Sequence, residues 1–335
     1  KNIIFLLFIA SLEDYSYFCH VMKGMVVKNT GSWYIVKTEE GNLVNCKIKG
    51  NFRLRGIRTT NPVAVGDNVE LSELSPDGSA FITAIAPRRN YIIRRASNLS
   101  KESHIIAANI DLAFLIVTVK EPETSTTFID RFLATAEAYG IRAVLVINKT
   151  DLLDDEEMQY ACAMQYLYKS IGYDVIMMSA TGDDTHQGIR QILQLAEGRT
   201  SLFSGNSGVG KSTIINLLIP GAGLKVGNIS YSHHTGMHTT TFSEMFPLPQ
   251  GGYIIDTPGV KGFGTIDFDK NQVAHYFPEI FRTSAGCRYG NCTHTHEPGC
   301  AVREAVENNL ISQSRYASYL SILDDADDPK YRKPY

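Results

Sequence analysis

The chain has 335 residues, 44% of them hydrophobic and 20% charged, with 27 glycines and a formal net charge of −3. That composition excludes collagen-like, low-complexity and wholly disordered chains, and at roughly 100–200 residues per domain the length predicts two or three domains with cores of their own. Of six cysteines, Cys19, Cys46 and Cys162 are isolated while Cys287, Cys292 and Cys300 crowd one segment, which predicts a local metal or redox site in a reducing compartment rather than a disulfide framework.

Ile3 to Ala10 form an apolar run after Lys1. The run is far short of the roughly 20 residues that span a bilayer, and no small-residue cleavage site follows it. Residues 1–21 are therefore expected to lie outside the functional fold as an N-terminal extension, with a secretion signal as the weaker reading. From Met22 the pattern is regular. Gly24–Lys28, Trp33–Thr38, Leu43–Lys49, Asn68–Leu71 and Ala80–Ile85 read as short strands, with turn chemistry at Glu40-Gly41-Asn42 and Pro76-Asp77-Gly78. Five such strands in about 65 residues fit a small barrel of the OB type, or a generic small β-domain. Residues 22–95 carry twelve Lys and Arg against six Asp and Glu, a net +6, which suits either nucleic-acid binding or a solvated basic face.

Beyond Arg95 the periodicity changes. Apolar runs at Asp111–Val119, Ile141–Ile147, Val175–Met178 and Thr200–Ser204 alternate with helical spacing at Phe128–Tyr139, Asp154–Ser170, Gln187–Glu197 and Thr213–Leu218. Strands alternating with helices predict a parallel sheet covered on both faces, whose ligands sit at the carboxyl ends of the strands.

Gly205-Asn206-Ser207-Gly208-Val209-Gly210-Lys211-Ser212 follows one of these strands and precedes a helix that runs on through Thr213. It matches G-x-x-x-x-G-K-[ST], in which backbone amides cradle phosphate oxygens, the Lys reaches the β- and γ-phosphates and the Ser ligates Mg²⁺. Asn148-Lys149-Thr150-Asp151, after the strand ending at Ile147, resembles the N-K-x-D motif of GTPases, whose Asp carboxylate accepts from guanine; taken alone it is also a good helix N-cap. Ser179-Ala180-Thr181 resembles the Ser-Ala loop behind the guanine O6. Asp256-Thr257-Pro258-Gly259 resembles the D-x-x-G switch, with Asp256 toward Mg²⁺ through water and the Gly259 amide toward the γ-phosphate. A threonine in His234-Thr235-Gly236-Met237-His238-Thr239-Thr240-Thr241 suits the remaining Mg²⁺ position, and spacing does not select which. Val260 stands where Ras-like enzymes carry the water-orienting Gln, and His238 is a candidate substitute or a surface residue. Asn148 and Ser179 precede Gly205, so relative to ordinary small GTPases the sheet is circularly permuted.

Cys287-x₄-Cys292-x-His294-x₅-Cys300 offers three thiolates and an imidazole suited to one tetrahedral, structural Zn²⁺, with His296 as a competing fourth ligand. Ala301–Asn308 and Ser314–Leu323 read as helices.

These motifs in this order, behind a basic barrel, resemble the bacterial RsgA (YjeQ) family of small-ribosomal-subunit biogenesis GTPases over about Met22 to Leu323. The resemblance implies a multidomain chain: an OB-type β-barrel at 22–95, a circularly permuted α/β P-loop GTPase domain at 96–270, and a small helical zinc-binding domain with a C-terminal tail at 271–335. It further implies GTP or GDP bound with Mg²⁺, one structural Zn²⁺, ribosome-stimulated hydrolysis assisted by His238, and Thr240 as the switch ligand. The implied partners are the small ribosomal subunit and its rRNA, with no membrane; a cytoplasmic monomer is expected. Two other classes compete: a GTP-dependent binding switch with negligible turnover, and a P-loop kinase or ATPase.

Overall fold

The computed structural model describes residues 21–48, 62–95, 103–183, 185–224, 243–256 and 268–327. Its first five strands are β1 (Met22–Asn29), β2 (Tyr34–Thr38), β3 (Leu43–Ile48), β4 (Asn68–Leu71) and β5 (Ala80–Ile85). They pair in the circuit β1-β2-β3-β5-β4 and back to β1, with only β3 and β5 parallel, which closes the sheet into a five-stranded barrel. Period-two alternation drives the closure. Tyr34, Val36, Val44, Cys46 and Ile82 turn inward, while Asn45, Lys47 and Phe81 turn outward from the same strands.

β1 does double duty. A register irregularity between Val26 and Lys28 bends the strand, and its end, still paired with β2 but past its pairing with β4, sets Lys28 opposite Glu244 of β12 (Glu244–Pro247). The Lys28 ammonium meets the Glu244 carboxylate at 2.8 Å, and Lys37 donates to the Tyr253 hydroxyl at 3.2 Å. Barrel and α/β sheet thereby form one eleven-stranded sheet. A separate two-stranded ribbon, β6 (Tyr91–Arg95) with β7 (Ser103–Ala108), joins them along the chain. Basic and polar residues interrupt the apolar pattern of both strands, so neither is marked in the sequence; nor is β12, which is four residues long and ends in proline.

The α/β part contains β8 (Leu112–Val117), β9 (Arg142–Ile147), β10 (Asp174–Met177), β11 (Thr200–Ser204) and β13 (Tyr253–Asp256), parallel in the order β10-β9-β8-β11-β13. Helices α1 (Thr126–Ala138) and α2 (Asp155–Ile171) pack on one face, with Ile129, Phe132 and Met164 against Leu115 and Leu145. Helices α3 (Thr185–Ala196) and α4 (Lys211–Leu218) pack on the other, with Ile192 and Ile214 against Phe114 and Phe203. β8 is buried on both faces, as its unbroken apolar run requires. The starts of the helices are set locally: Ser125 caps α1 by accepting from the Phe128 amide, and Asp154 with Glu157 forms a capping box on α2.

After Phe268 come a 3-10 turn at Val273–Tyr276 and the helices α5 (Pro278–Ser284), α6 (Ala301–Glu307) and α7 (Gln313–Asp327). Of these, α6 and α7 match the helices expected at Ala301–Asn308 and Ser314–Leu323, and α5 is an addition. This module buries Phe277, Ile280, Val302 and Ile322 around Ala134 of α1. The joint also contains a fully buried Arg315 on α7. Its guanidinium reaches Asp130 of α1 at 2.8 Å and Glu279 of α5 at 2.7 and 3.1 Å, and lies over the Phe277 ring at 4.6 Å. Tyr168 of α2 donates to the same Asp130 oxygen at 2.7 Å. Burial alone would lower the Arg315 pKa; the two carboxylates outweigh it and hold the side chain charged. Arg315→Met is expected to leave Asp130 and Glu279 as uncompensated buried carboxylates and to cost about 3–5 kcal/mol, measured as a shift of the urea unfolding transition.

Candidate functional site

Because β8, β9, β10, β11 and β13 run parallel, their carboxyl ends lie along one edge, and three loops and a strand end meet there: residues 148–151 after β9, 179–182 after β10, 205–210 after β11, and Asp256 closing β13. Motifs in permuted chain order thus converge in space.

The loop after β11 is shaped by glycines at two positions where nothing else fits. Gly205 has φ +146° and a Cβ there would stand 2.2 Å from the Ile116 carbonyl oxygen; Gly210 has φ +98° and its Cβ would stand 2.3 Å from Asn148 Nδ2. Gly210 opens α4, so the loop delivers its amides into a helix N-terminus, a ready anion cradle. Lys211 folds back along the loop, its Nζ donating to the carbonyls of Gly205 at 2.7 Å and Asn206 at 3.2 Å. Burial lowers its pKa, and the Asp256 carboxylate opposes that shift. A half-buried ammonium whose hydrogen bonds among the described residues go to carbonyls is well placed to exchange them for phosphate oxygens. Ser207, Gly208, Val209, Ser212 and Thr213 complete the loop and the first turn of α4. Asp256 is buried beside this loop, in register with Phe203 of β11.

Asn148, also buried, ties the loops together. Its Nδ2 donates to the Val209 carbonyl at 2.8 Å, and its Oδ1 accepts from the Ala180 amide at 3.0 Å. Lys149 takes a left-handed conformation and donates to the Glu121 carbonyl, with its pKa lowered by burial. Asp151 is exposed, and the Ser179 hydroxyl donates to its Oδ1 at 2.5 Å. Ser179 in turn accepts from the Gly182 amide at 2.9 Å. The Ser-Ala motif points only to the backbone of Ser179, and its side-chain contact with Asp151 is a further feature of the structure. His238, Thr240 and Gly259 lie outside the described residues.

The second cluster is in the C-terminal module. Cys287 Sγ and Cys300 Sγ are 4.0 Å apart, and both lie near His294 Nδ1, at 3.6 and 3.5 Å. With Cys292, the four ligand atoms fall within 4.8 Å of one another. Zinc bonds of about 2.3 Å to sulfur and 2.0–2.1 Å to nitrogen put tetrahedral ligand atoms roughly 3.5–3.8 Å apart, so the set fits that ion. His296 is exposed and its Nδ1 faces the Thr295 hydroxyl, away from the cluster. Burial lowers the His294 pKa, which favours the neutral imidazole that ligation requires. Burial pushes the Cys292 thiol up to about 12; a coordinating cation acts in the opposite direction. His294 adopts φ +59°, and the turn that holds it there is organised by Glu297, which accepts from the amides of Thr293 and Thr295 at 2.7 and 3.0 Å. The hydroxyls of Tyr316 and Tyr319 on α7 donate to the carbonyls of His294 and Thr293. Neither Glu297 nor the tyrosines stand out in the sequence.

Residues 85–266 match the family described as RsgA GTPase, and residues 23–82 match the RsgA N-terminal domain. A Bacteroides fragilis protein named small ribosomal subunit biogenesis GTPase RsgA is 61% identical over 314 residues, covering 94% of this chain and all of the relative. A protein of the same name from Porphyromonas gingivalis is 55% identical over 318 residues, with the same coverage of both. Among solved structures, YjeQ from Thermotoga maritima is similar with a TM-score of 0.72 at 33% identity, covering 91% of this chain and 98% of that one. YloQ, described as a circularly permuted GTPase, is similar with a TM-score of 0.70 at 29% identity, covering 96% and 99%.

Gly210→Ala is expected to displace Asn148 and open the junction of the loops. Nucleotide affinity, followed with a fluorescent guanine nucleotide, should fall at least tenfold while the far-UV spectrum is retained.

Proposed function

This chain belongs to the RsgA family of GTPases, and from that premise we propose that it acts in late maturation of the small ribosomal subunit, binding ribosomal RNA and leaving after ribosome-stimulated hydrolysis of GTP. The observation that carries the nucleotide reading is the pair of contacts that aim Asp151: Asn148 links its loop to the phosphate loop, and the Ser179 hydroxyl holds its carboxylate. A carboxylate so placed accepts from the N1–H and exocyclic amine of guanine; adenine presents the reverse pattern.

In this reading Gly205 to Thr213 wrap the phosphates, Lys211 neutralises the β- and γ-oxygens, and Ala180 lies behind the base. Ser212, Asp256 and Thr240 would hold Mg²⁺, which supplies charge neutralisation when bound. The Gly259 amide would meet the γ-phosphate, and His238 would take the part of the water-orienting Gln, since a valine side chain such as Val260 has no hydrogen-bonding group. Cys287, Cys292, His294 and Cys300 would hold one Zn²⁺, which supplies folding energy to a module with a small core. The proposed divisions are 1–21, 22–95, 96–270 and 271–335. The partner is the small subunit, met by the basic barrel and the zinc module of a cytoplasmic monomer. Among the described residues no helix is long and apolar enough to cross a membrane.

GTP hydrolysis measured with and without isolated small subunits should show strong stimulation; none would leave a binding switch without turnover. His238→Ala should lower the stimulated rate by roughly 10²-fold or more with GTP affinity retained. Asp151→Asn should shift preference from guanine to xanthine nucleotides, whereas tight ATP binding by the unaltered protein would point to a kinase or ATPase. Elemental analysis should find one zinc per chain, and Cys292→Ala should lose it together with hydrogen-exchange protection across 287–300.

A further inference from the structure

Trp33, Lys47 and Phe81 stand in one row across the outer face of the barrel. β2 and β3 pair Tyr34 with Cys46, so Trp33 falls opposite Lys47, and the parallel pairing of β3 with β5 puts Lys47 opposite Phe81. Strand spacing of about 4.8 Å makes the row roughly 10 Å wide. All three side chains face solvent: Trp33 is 36% exposed and Phe81 41%. The Lys47 ammonium lies 4.1 Å from the centre of the Trp33 ring. Two aromatic faces flanking a cation are costly to leave wet and serve no core, since the barrel interior is filled by other side chains. Asp77, in the turn before β5, is engaged by the amide and hydroxyl of Ser79; its pKa is lowered chiefly by those bonds and least by Lys47.

We infer that this row is a stacking platform for unpaired RNA bases, Trp33 and Phe81 taking base faces and Lys47 the phosphate between them. The net +6 of residues 22–95 supplies the charge complementarity, and stacking on aromatics beside basic groups is the mode by which barrels of this kind hold single strands. A paired helix keeps its base faces covered and cannot use the row. The inference rests on the proposal that the barrel engages ribosomal RNA, and adds to it which residues do so and that the RNA there is single-stranded.

Trp33 is the sole tryptophan of the chain, so its emission reports the row directly. The full-length protein is titrated with an oligouridylate and with an RNA duplex of equal phosphate number, following Trp33 emission and, with labelled RNA, anisotropy. Oligouridylate should bind and quench the emission, and the duplex should leave it unchanged. Phe81→Ala and Lys47→Gln, both at exposed positions, should each weaken oligouridylate binding by about tenfold, and Phe81→Tyr should restore it. Oligouridylate binding by anisotropy with unchanged emission, or with equal affinity for Phe81→Ala, overturns the platform and leaves the row to a protein partner. Failure of both RNAs to bind at low salt removes instead the RNA-engaging barrel on which the inference stands.

Discussion

One buried carboxamide holds the site together. Asn148 spends its donor on the Val209 carbonyl and its acceptor on the Ala180 amide, so three loops that are far apart along the chain share a single side chain. The alternatives are poor, because a buried Val209 carbonyl or Ala180 amide without that partner would carry the full cost of desolvation. The constraint extends into the phosphate loop, where Gly210 has no room for a side chain because Asn148 occupies it. Cutting and rejoining the chain elsewhere does not touch this contact, which is why a permuted order still assembles one pocket.

Two joints attach the flanking modules to this centre, and each lands on an element next to the pocket. On one side β1 of the barrel pairs with β12, the strand between the segment containing His238 and β13, whose last residue is Asp256. On the other, Arg315 of the C-terminal module grips Asp130 on α1, the helix that follows β8, and β8 supports the phosphate loop through the close approach of Gly205 to Ile116. The two joints differ in kind. The first is a single strand pairing beside a half-buried ion pair, which is individually weak; the second is a buried charge cluster that tolerates little displacement.

Much of this was legible beforehand because the informative signals are local. Barrel strands were written in period-two alternation, the sheet strands in unbroken apolar runs, and the phosphate loop and cysteine cluster in spacing. Chain order alone gave the permutation. What could not be read was long-range and polar. Nothing near Ser179 announces that its hydroxyl will meet Asp151, nor does a lone Arg315 in a helical stretch announce two buried carboxylates contributed by α1 and α5. The β6–β7 ribbon and β12 escape for another reason: they pair with neighbouring strands, β6 with β7 and β12 with β13, but basic, polar or proline residues break the alternation that would mark them as strands.

The pairing of β12 with β1 also has a bearing on solubility. In an isolated α/β sheet β12 would be an edge, with a row of free amides and carbonyls able to recruit a strand from another molecule. Here β1 takes up the start of that edge, Lys28 opposite Glu244, and β1 itself is closed off by returning to β4 in the barrel. Among the described residues, β10 is the one strand of this sheet left with a neighbour on one side, and it is four residues long and begins with the charged Asp174. The barrel is therefore also an edge guard for the nucleotide-binding sheet, and a protein cut between the two would expose a templating strand that the intact chain never presents.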